Sequence, residues 1–334
     1  MRILAVYDPD PSFGERLADY VNQKEAEPFT AMAFSSLEKL RRYGEEHSIE
    51  ILLVDEGAKG LVEDVKARQV MVLCDGELVE DKVDLPAICK YQSGDSIMRE
   101  VLASYCNRSM EPALTLLGTK AVVMGVYSPV NRCLKSSLAL TIGQVLARKE
   151  AVLYLNLEEY SGFSRLVCGD YRSDLSDVLY LYRQGEYNWM RLKSMVGSWG
   201  SMDYIPPVRY GEDLNQVSPE DMARLIDRIA RESGYDKIVV DIGQMGRGAL
   251  ALLSVCEVVY MPVKEDCISS AKLEEFEEYL EEADDGSVRE KIQKLRLPRH
   301  TGLGKGEGYL EQLLWGELGD YVRQMLNGKQ PELM

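Results

Sequence analysis

The chain has 334 residues, 46% of them hydrophobic and 28% charged, with a formal net charge of −16. That is the make-up of a globular protein long enough for two buried cores. Its acidity argues against nucleic acid as a partner, because non-specific binding there depends on neutralising phosphates with Lys and Arg. No apolar run approaches the roughly 20 residues of a membrane-spanning helix and no signal peptide opens the chain, so stable membrane insertion is not expected. Two histidines leave little for a His-based metal site or triad. Seven scattered cysteines without a C-x-x-C pair fit buried free thiols in a reducing cytoplasm.

From the N-terminus, the pattern predicts a strand over 3–7, then Pro11 and an amphipathic helix to about Val21. A strand over 28–34 precedes a helix over 35–47, whose Ser35 and Glu38 have capping-box spacing. Short apolar strands follow at 51–54, 70–73 and 87–89, and a helix over 96–106 closes the segment. Strands alternating with helices imply a parallel sheet with right-handed crossovers. Residues 1–107 are therefore one domain and 108–118, with Pro112 and Gly118, a linker.

A second α/β domain occupies 119–334. A strand at 121–127, a helix at 135–147 and a strand at 152–155 open it. Helices at 175–183 and 188–195 and a short strand at 204–205 come next. A helix over 219–233 has Ser218 as its cap and Pro219 at its first position. Strands at 237–241 and 258–263 and helices at 269–283 and 316–326 complete it. The glycine-rich run 302–308 is expected to be a connector. The apolar stripe from Leu313 to Leu326 carries Glu317 and Asp320 on its polar face, the wrong sign for anionic lipid, so packing onto the body is expected. The fold class is thus α/β, two doubly wound parallel sheets.

In the first domain Asp8 ends the first strand, Asp55 the third, and Lys90 follows the fifth. Carboxyl ends of strands gather on one edge of such a sheet, so the three converge. On this pattern the segment resembles a response-regulator receiver domain. The resemblance implies Asp55 as phosphoacceptor, Asp8 as metal ligand and Lys90 as the phosphate-contacting lysine. It departs from the family at Tyr7, where a second acid is usual, and at Cys74, where Thr or Ser is usual. Asp10 is a candidate replacement acid. A docking pseudo-receiver is favoured over a phosphorylated one.

Residues 128–137 read Ser-Pro-Val-Asn-Arg-Cys-Leu-Lys-Ser-Ser between strand and helix signals, where a phosphate loop G-x-x-x-x-G-K-[ST] belongs. Pro129 and Leu134 stand at its glycine positions. Pro129 has no N–H to donate, and the Leu134 Cβ crowds a backbone that must approach phosphate closely. With Lys135, Ser136 and Ser137 in place, and Asp241 ending an apolar strand, residues 119–285 resemble the MinD/ParA ATPases. Val130 replaces that family's signature lysine. Asn156 and Glu158 stand at its Asp-x-Asp positions and are the candidate catalytic residues. The resemblance implies a nucleotide site of Asn131, Arg132, Cys133, Leu134, Lys135, Ser136, Ser137 and Asp241, with Mg²⁺ held through Ser136 and Asp241.

A receiver-like domain before such a domain resembles the TadZ/CpaE group of pilus-assembly proteins. It implies a cytoplasmic, dimeric scaffold that positions a Tad/Flp-type pilus or secretion assembly, reaches the membrane only through protein partners, and binds ATP or ADP with Mg²⁺ weakly, with little or no hydrolysis. The alternative is an ATP-hydrolysing switch regulated through the receiver domain.

Overall fold

The computed structural model describes residues 2–24, 28–76, 85–108, 119–167, 171, 173–244, 248–283, 286–298 and 306–328. The chain divides into two compact units, Met1–Leu116 with Asn188–Met195, and Leu117–Tyr187 with Val196–Met334. Most of the proposed linker, 109–118, lies outside the described residues.

The first unit runs β1 (Arg2–Tyr7), α1 (Pro11–Gln23), β2 (Phe29–Phe34), α2 (Leu37–Glu46), β3 (Ile49–Asp55), a 3-10 turn (Glu56–Leu61), β4 (Ala67–Cys74), β5 (Ala87–Cys89) and α3 (Gly94–Arg108). All pairings are parallel in the order β2-β1-β3-β4-β5. The order reverses between β1 and β3, so their carboxyl ends open a crevice. The continuous apolar run of β3 feeds both faces, Ile51 and Leu53 into one core and Leu52 and Val54 into the other, as expected for a strand covered on both sides. Helix α1 starts at Pro11 with Asp10 as its cap, the carboxylate accepting from Ser12 N–H at 2.9 Å. Helix α2 starts one residue later than the capping-box spacing suggested: Ser36 is its N-cap and makes no side-chain capping bond.

The second unit runs β6 (Val122–Val126), α4 (Lys135–Leu146), β7 (Val152–Leu157), α5 (Phe163–Val167) and α6 (Leu175–Arg183). After α7 (Trp189–Met195) come β8 (Gly197–Trp199), β9 (Met202–Ile205), α8 (Pro219–Glu232), β10 (Lys237–Ile242), α9 (Ala249–Val255), β11 (Val258–Val263), α10 (Cys267–Ala283), β12 (Ile292–Arg296), α11 (Glu307–Trp315) and α12 (Glu317–Leu326). The strand order is β12-β11-β6-β10-β7-β9-β8, parallel except for the β8–β9 hairpin. Both sheets have the α/β, doubly wound character expected from the sequence.

Within the stretch assigned to a single second domain, α7 groups instead with the first unit. Met190 joins the core beneath α3, and Arg2 Nη1 donates to Tyr105 OH at 2.7 Å and to Met190 Sδ at 3.8 Å. The C-terminal stripe forms two helices rather than one. Gly316 ends α11 and starts α12, and a Cβ there would lie 2.6 Å from the Gln312 carbonyl oxygen. Leu313, Leu318, Tyr321 and Val322 are buried in the core that α4 completes, so the stripe packs on the body. Among the described residues no helix is long and apolar enough to cross a membrane. The connector expected at 302–308 lies outside the described residues up to 305, and Gly306 then caps α11.

Candidate functional sites

In the first unit the crevice brings Asp8, Asp55 and Lys90 together. Lys90 Nζ hydrogen-bonds Asp55 Oδ1, pairs with Asp8 Oδ2 at 2.8 Å and stands 3.8 Å from Asp75 Oδ1. Asp8 Oδ2 meets the ammonium as an ion pair, off the hydrogen-bond axis, while Asp8 Oδ1 accepts from Asp10 N–H at 2.9 Å. Burial works against the charge on Lys90, but its pairing with Asp55 and Asp8 more than offsets it and holds its pKa above the usual ammonium range. The ring of Phe13 lies 5.5 Å from Nζ. Asp10 does not join the cluster. The structure corrects that expectation, because its carboxylate is spent on the cap of α1, taking both the N–H and the hydroxyl of Ser12. Cys74, at the usual hydroxyl position, turns its thiol to the carbonyls of Ile88 and Gly76 at 3.5 and 3.6 Å.

In the second unit, β6 leads into the 128–134 loop and α4. Neighbouring β10 ends at the same rim. Lys135 Nζ donates to Ile242 O at 2.6 Å and pairs with Glu158 Oε1 at 2.6 Å, so the loop lysine and the end of the Asp241 strand do converge. Ser128 Oγ fastens the loop to β11 by donating to Pro262 O at 2.7 Å, and accepts from Val130 N–H at 3.1 Å. Gln244 Nε2 reaches across from beyond β10 to Ser128 O and Asn131 Oδ1, both at 3.2 Å. Buried Cys133 donates to Val130 O at 3.0 Å.

Arg132 and Leu134 both take the left-handed conformation, with φ of 55° and 64°. Leu134 is the N-cap of α4 and makes no side-chain capping bond. The loop therefore keeps a backbone that glycine would adopt freely, at a cost of about 1–2 kcal/mol for each non-glycine residue. The first N–H groups of α4 remain a site of positive potential. Ser137 is turned away from them and shares a hydrogen bond of 3.2 Å with Tyr309 OH of α11.

Asp241 is fully buried. Tyr154 OH and Asn156 Nδ2 both donate to its Oδ2 at 3.2 Å, Asn156 Nδ2 also donates to Tyr154 OH at 2.8 Å, and Asn156 Oδ1 accepts from Glu158 N–H at 2.9 Å. Oδ1 has no hydrogen-bond partner among the described residues. Burial pushes the Asp241 pKa up from 3.8 to about 6, with the Lys135 charge and the nearby Ser136 hydroxyl pulling the other way. A buried carboxylate oxygen of this kind beside a hydroxyl fits a hydrated Mg²⁺. Of the two catalytic candidates, Asn156 spends its amide on Asp241, Tyr154 and the Glu158 N–H, and Glu158 pairs with Lys135 through Oε1.

Tyr154, Gln244 and Tyr309 were missed from the sequence. Tyr154 sits in an apolar strand run and Tyr309 beyond a glycine-rich segment. Gln244 alone carried a signal, as a polar residue three places after Asp241 at a strand end.

A lysine–serine helix start beside a buried aspartate on the adjacent parallel strand defines a P-loop type of α/β fold, here following a receiver-type sheet. Residues 1–106, which carry the five-stranded sheet of the first unit, match the family model described as TadZ-like, receiver domain. Among solved structures the chain is similar to a ParA family ATPase from Chlorobium tepidum TLS, at 18% identity over 64% of this chain and 84% of that one, with a TM-score of 0.48. Cobyrinic acid a,c-diamide synthase from Mycobacterium smegmatis with bound ADP and magnesium follows, at 14% identity over 64% and 99%, TM-score 0.43. The cell division ATPase MinD of Pyrococcus furiosus is similar at 15% identity over 58% and 79%, TM-score 0.41. No curated protein matches the chain.

Proposed function

We propose that the chain is a TadZ/CpaE-type scaffold of a Tad/Flp-type pilus or secretion assembly, built on a nucleotide-binding domain with weak or absent hydrolysis. The observation that carries the degenerate half is the internal neutralisation of Lys135 by Glu158 and Ile242 O, both at 2.6 Å. A phosphate that reaches the lysine shares its three donors with both of them and meets the like charge of Glu158. A charge-assisted hydrogen bond contributes about 1.5–3 kcal/mol, so this competition, with Pro129 and the Leu134 Cβ, weakens binding by roughly 10³-fold relative to a glycine loop. Hydrolysis suffers further, because Val130 offers no charge to the transferring phosphoryl and both acid positions are engaged. The match over residues 1–106 supports the assembly role, and the net charge of −16 argues against DNA as the partner. Lys90 already stands between the two crevice acids, Asp8 and Asp55, which suits a docking module.

Calorimetric titration of MgATP into wild type and Lys135→Ala checks the binding, and a phosphate-release assay checks turnover. We expect weak heats that vanish in the variant, and release equal in both proteins. Equal heats would remove nucleotide from this reading; release above the variant would make the chain an ATP-hydrolysing switch. Co-purification of the full chain with pilus or secretion components from native cells tests the assembly role.

Leu134→Gly sharpens the test. Relief of left-handed strain is partly offset by the roughly 0.5–1 kcal/mol that glycine loses in the unfolded chain. Urea melts should therefore place the variant within about 1 kcal/mol of wild type. Its MgADP affinity should rise about tenfold, the worth of one recovered backbone hydrogen bond. A variant with unchanged affinity would clear the Leu134 Cβ of blame.

A further inference from the structure

We propose that Cys74 and Cys89 form an oxidisable dithiol, a modification site for a small-molecule disulfide that ties β4 to β5 beside Lys90. The two residues are direct partners in the parallel register of β4 and β5. Neighbouring strands lie about 4.8 Å apart, within the roughly 4.4–6.8 Å between Cα atoms that a disulfide spans. Their side chains share a face. Leu73 and Ile88 enter one core and Val72 and Ala87 the other, so the next residue of each strand, Cys74 and Cys89, projects to the side of Val72 and Ala87. The Cys74 thiol already points across the gap, donating to Ile88 O at 3.5 Å.

Access orders the chemistry. Cys89 is half-buried and Cys74 buried, and burial, with a contribution from neighbouring Cys89, pushes the Cys74 thiol up. Cys89 therefore reacts first. Its thiolate attacks one sulfur of glutathione disulfide, that S–S bond breaks, and one glutathione leaves as a thiolate that takes up the proton Cys89 released. Cys74 then loses its proton and attacks the Cys89 sulfur of the mixed disulfide, expelling the second glutathione. Two protein thiols are oxidised by two electrons, and the glutathione disulfide is reduced to two thiols. The cross-link forms where Lys90 N–H already donates to Cys74 O at 2.9 Å, fixing the rung that carries Lys90 against its acids.

The full-length Cys267→Ser protein is the one to use, because Cys267 is exposed and would link chains to each other. It is incubated with glutathione disulfide, denatured, alkylated and mapped by peptide mass spectrometry. We expect the Cys74 and Cys89 peptides as one cross-linked species, with two fewer alkylated cysteines than in the untreated protein. Adding Cys74→Ser should halt Cys89 at the glutathione adduct, and adding Cys89→Ser should leave Cys74 alkylatable. A stable adduct on Cys89 with Cys74 still free in the parent protein would overturn the proposal, as would loss of thiols that map elsewhere, or no loss at all.

Discussion

Asp241→Asn is expected to stabilise the magnesium-free protein above pH 6 while abolishing any response to Mg²⁺. The carboxylate is fully buried, one of its oxygens has no hydrogen-bond partner among the described residues, and burial holds its pKa at about 6 against 3.8. The folded state therefore binds this proton more tightly than the unfolded state does. Stability is greatest below pH 3.8, declines as pH rises between 3.8 and about 6, and carries the full cost above that. The displacement corresponds to roughly 3 kcal/mol. An amide returns part of this, because its NH₂ is a buried donor without an acceptor, costing about 1–3 kcal/mol. Urea melts at pH 8 should still show the variant more stable by about 1 kcal/mol, and the advantage should be gone near pH 4. A variant less stable than wild type at pH 8 would mean that the buried charge is already compensated.

Much of this arrangement was legible in the residues. Lys135 and Asp241 could be placed on one rim because apolar runs before each predict parallel strands, and parallel strands put their carboxyl ends together. Asp8, Asp55 and Lys90 converged for the same reason. What stayed hidden depends on which partner a side chain chooses. Glu158 was legible as a lengthened acid, yet nothing in its spacing says that the added methylene lets it hold Lys135. Asp10 stood at a plausible distance from Asp8, but a local N-cap two residues away outcompeted the crevice. The strands β8 and β12 went unseen because Gly-Ser-Trp is too short to alternate and Ile-Gln-Lys-Leu-Arg buries only Leu295. Helix α7 was found as a helix, but its grouping with the first unit rests on contacts more than 80 residues distant in sequence, which periodicity does not carry.

Lys90→Met is expected to cost the first unit about 3 kcal/mol, because it strips the counter-charge from Asp8 and Asp55 and leaves two carboxylates facing each other in a crevice. Methionine keeps most of the volume of the stem and loses only the ammonium, which lies 5.5 Å from the Phe13 ring, so the loss reads out charge rather than volume. Asp55→Asn should cost less, since Lys90 keeps the more deeply buried Asp8 as its partner. The two variants separate a structural ion cluster from a phosphoacceptor site held ready. Millimolar Mg²⁺ should return part of the stability of Lys90→Met by taking the place of the ammonium between the two acids, and should do little for wild type, in which Lys90 already occupies that position. Chemical denaturation with and without Mg²⁺ measures both effects. If wild type gains as much from Mg²⁺ as the variant does, Lys90 is not filling the metal's place, and the docking role proposed for the first unit loses its physical basis.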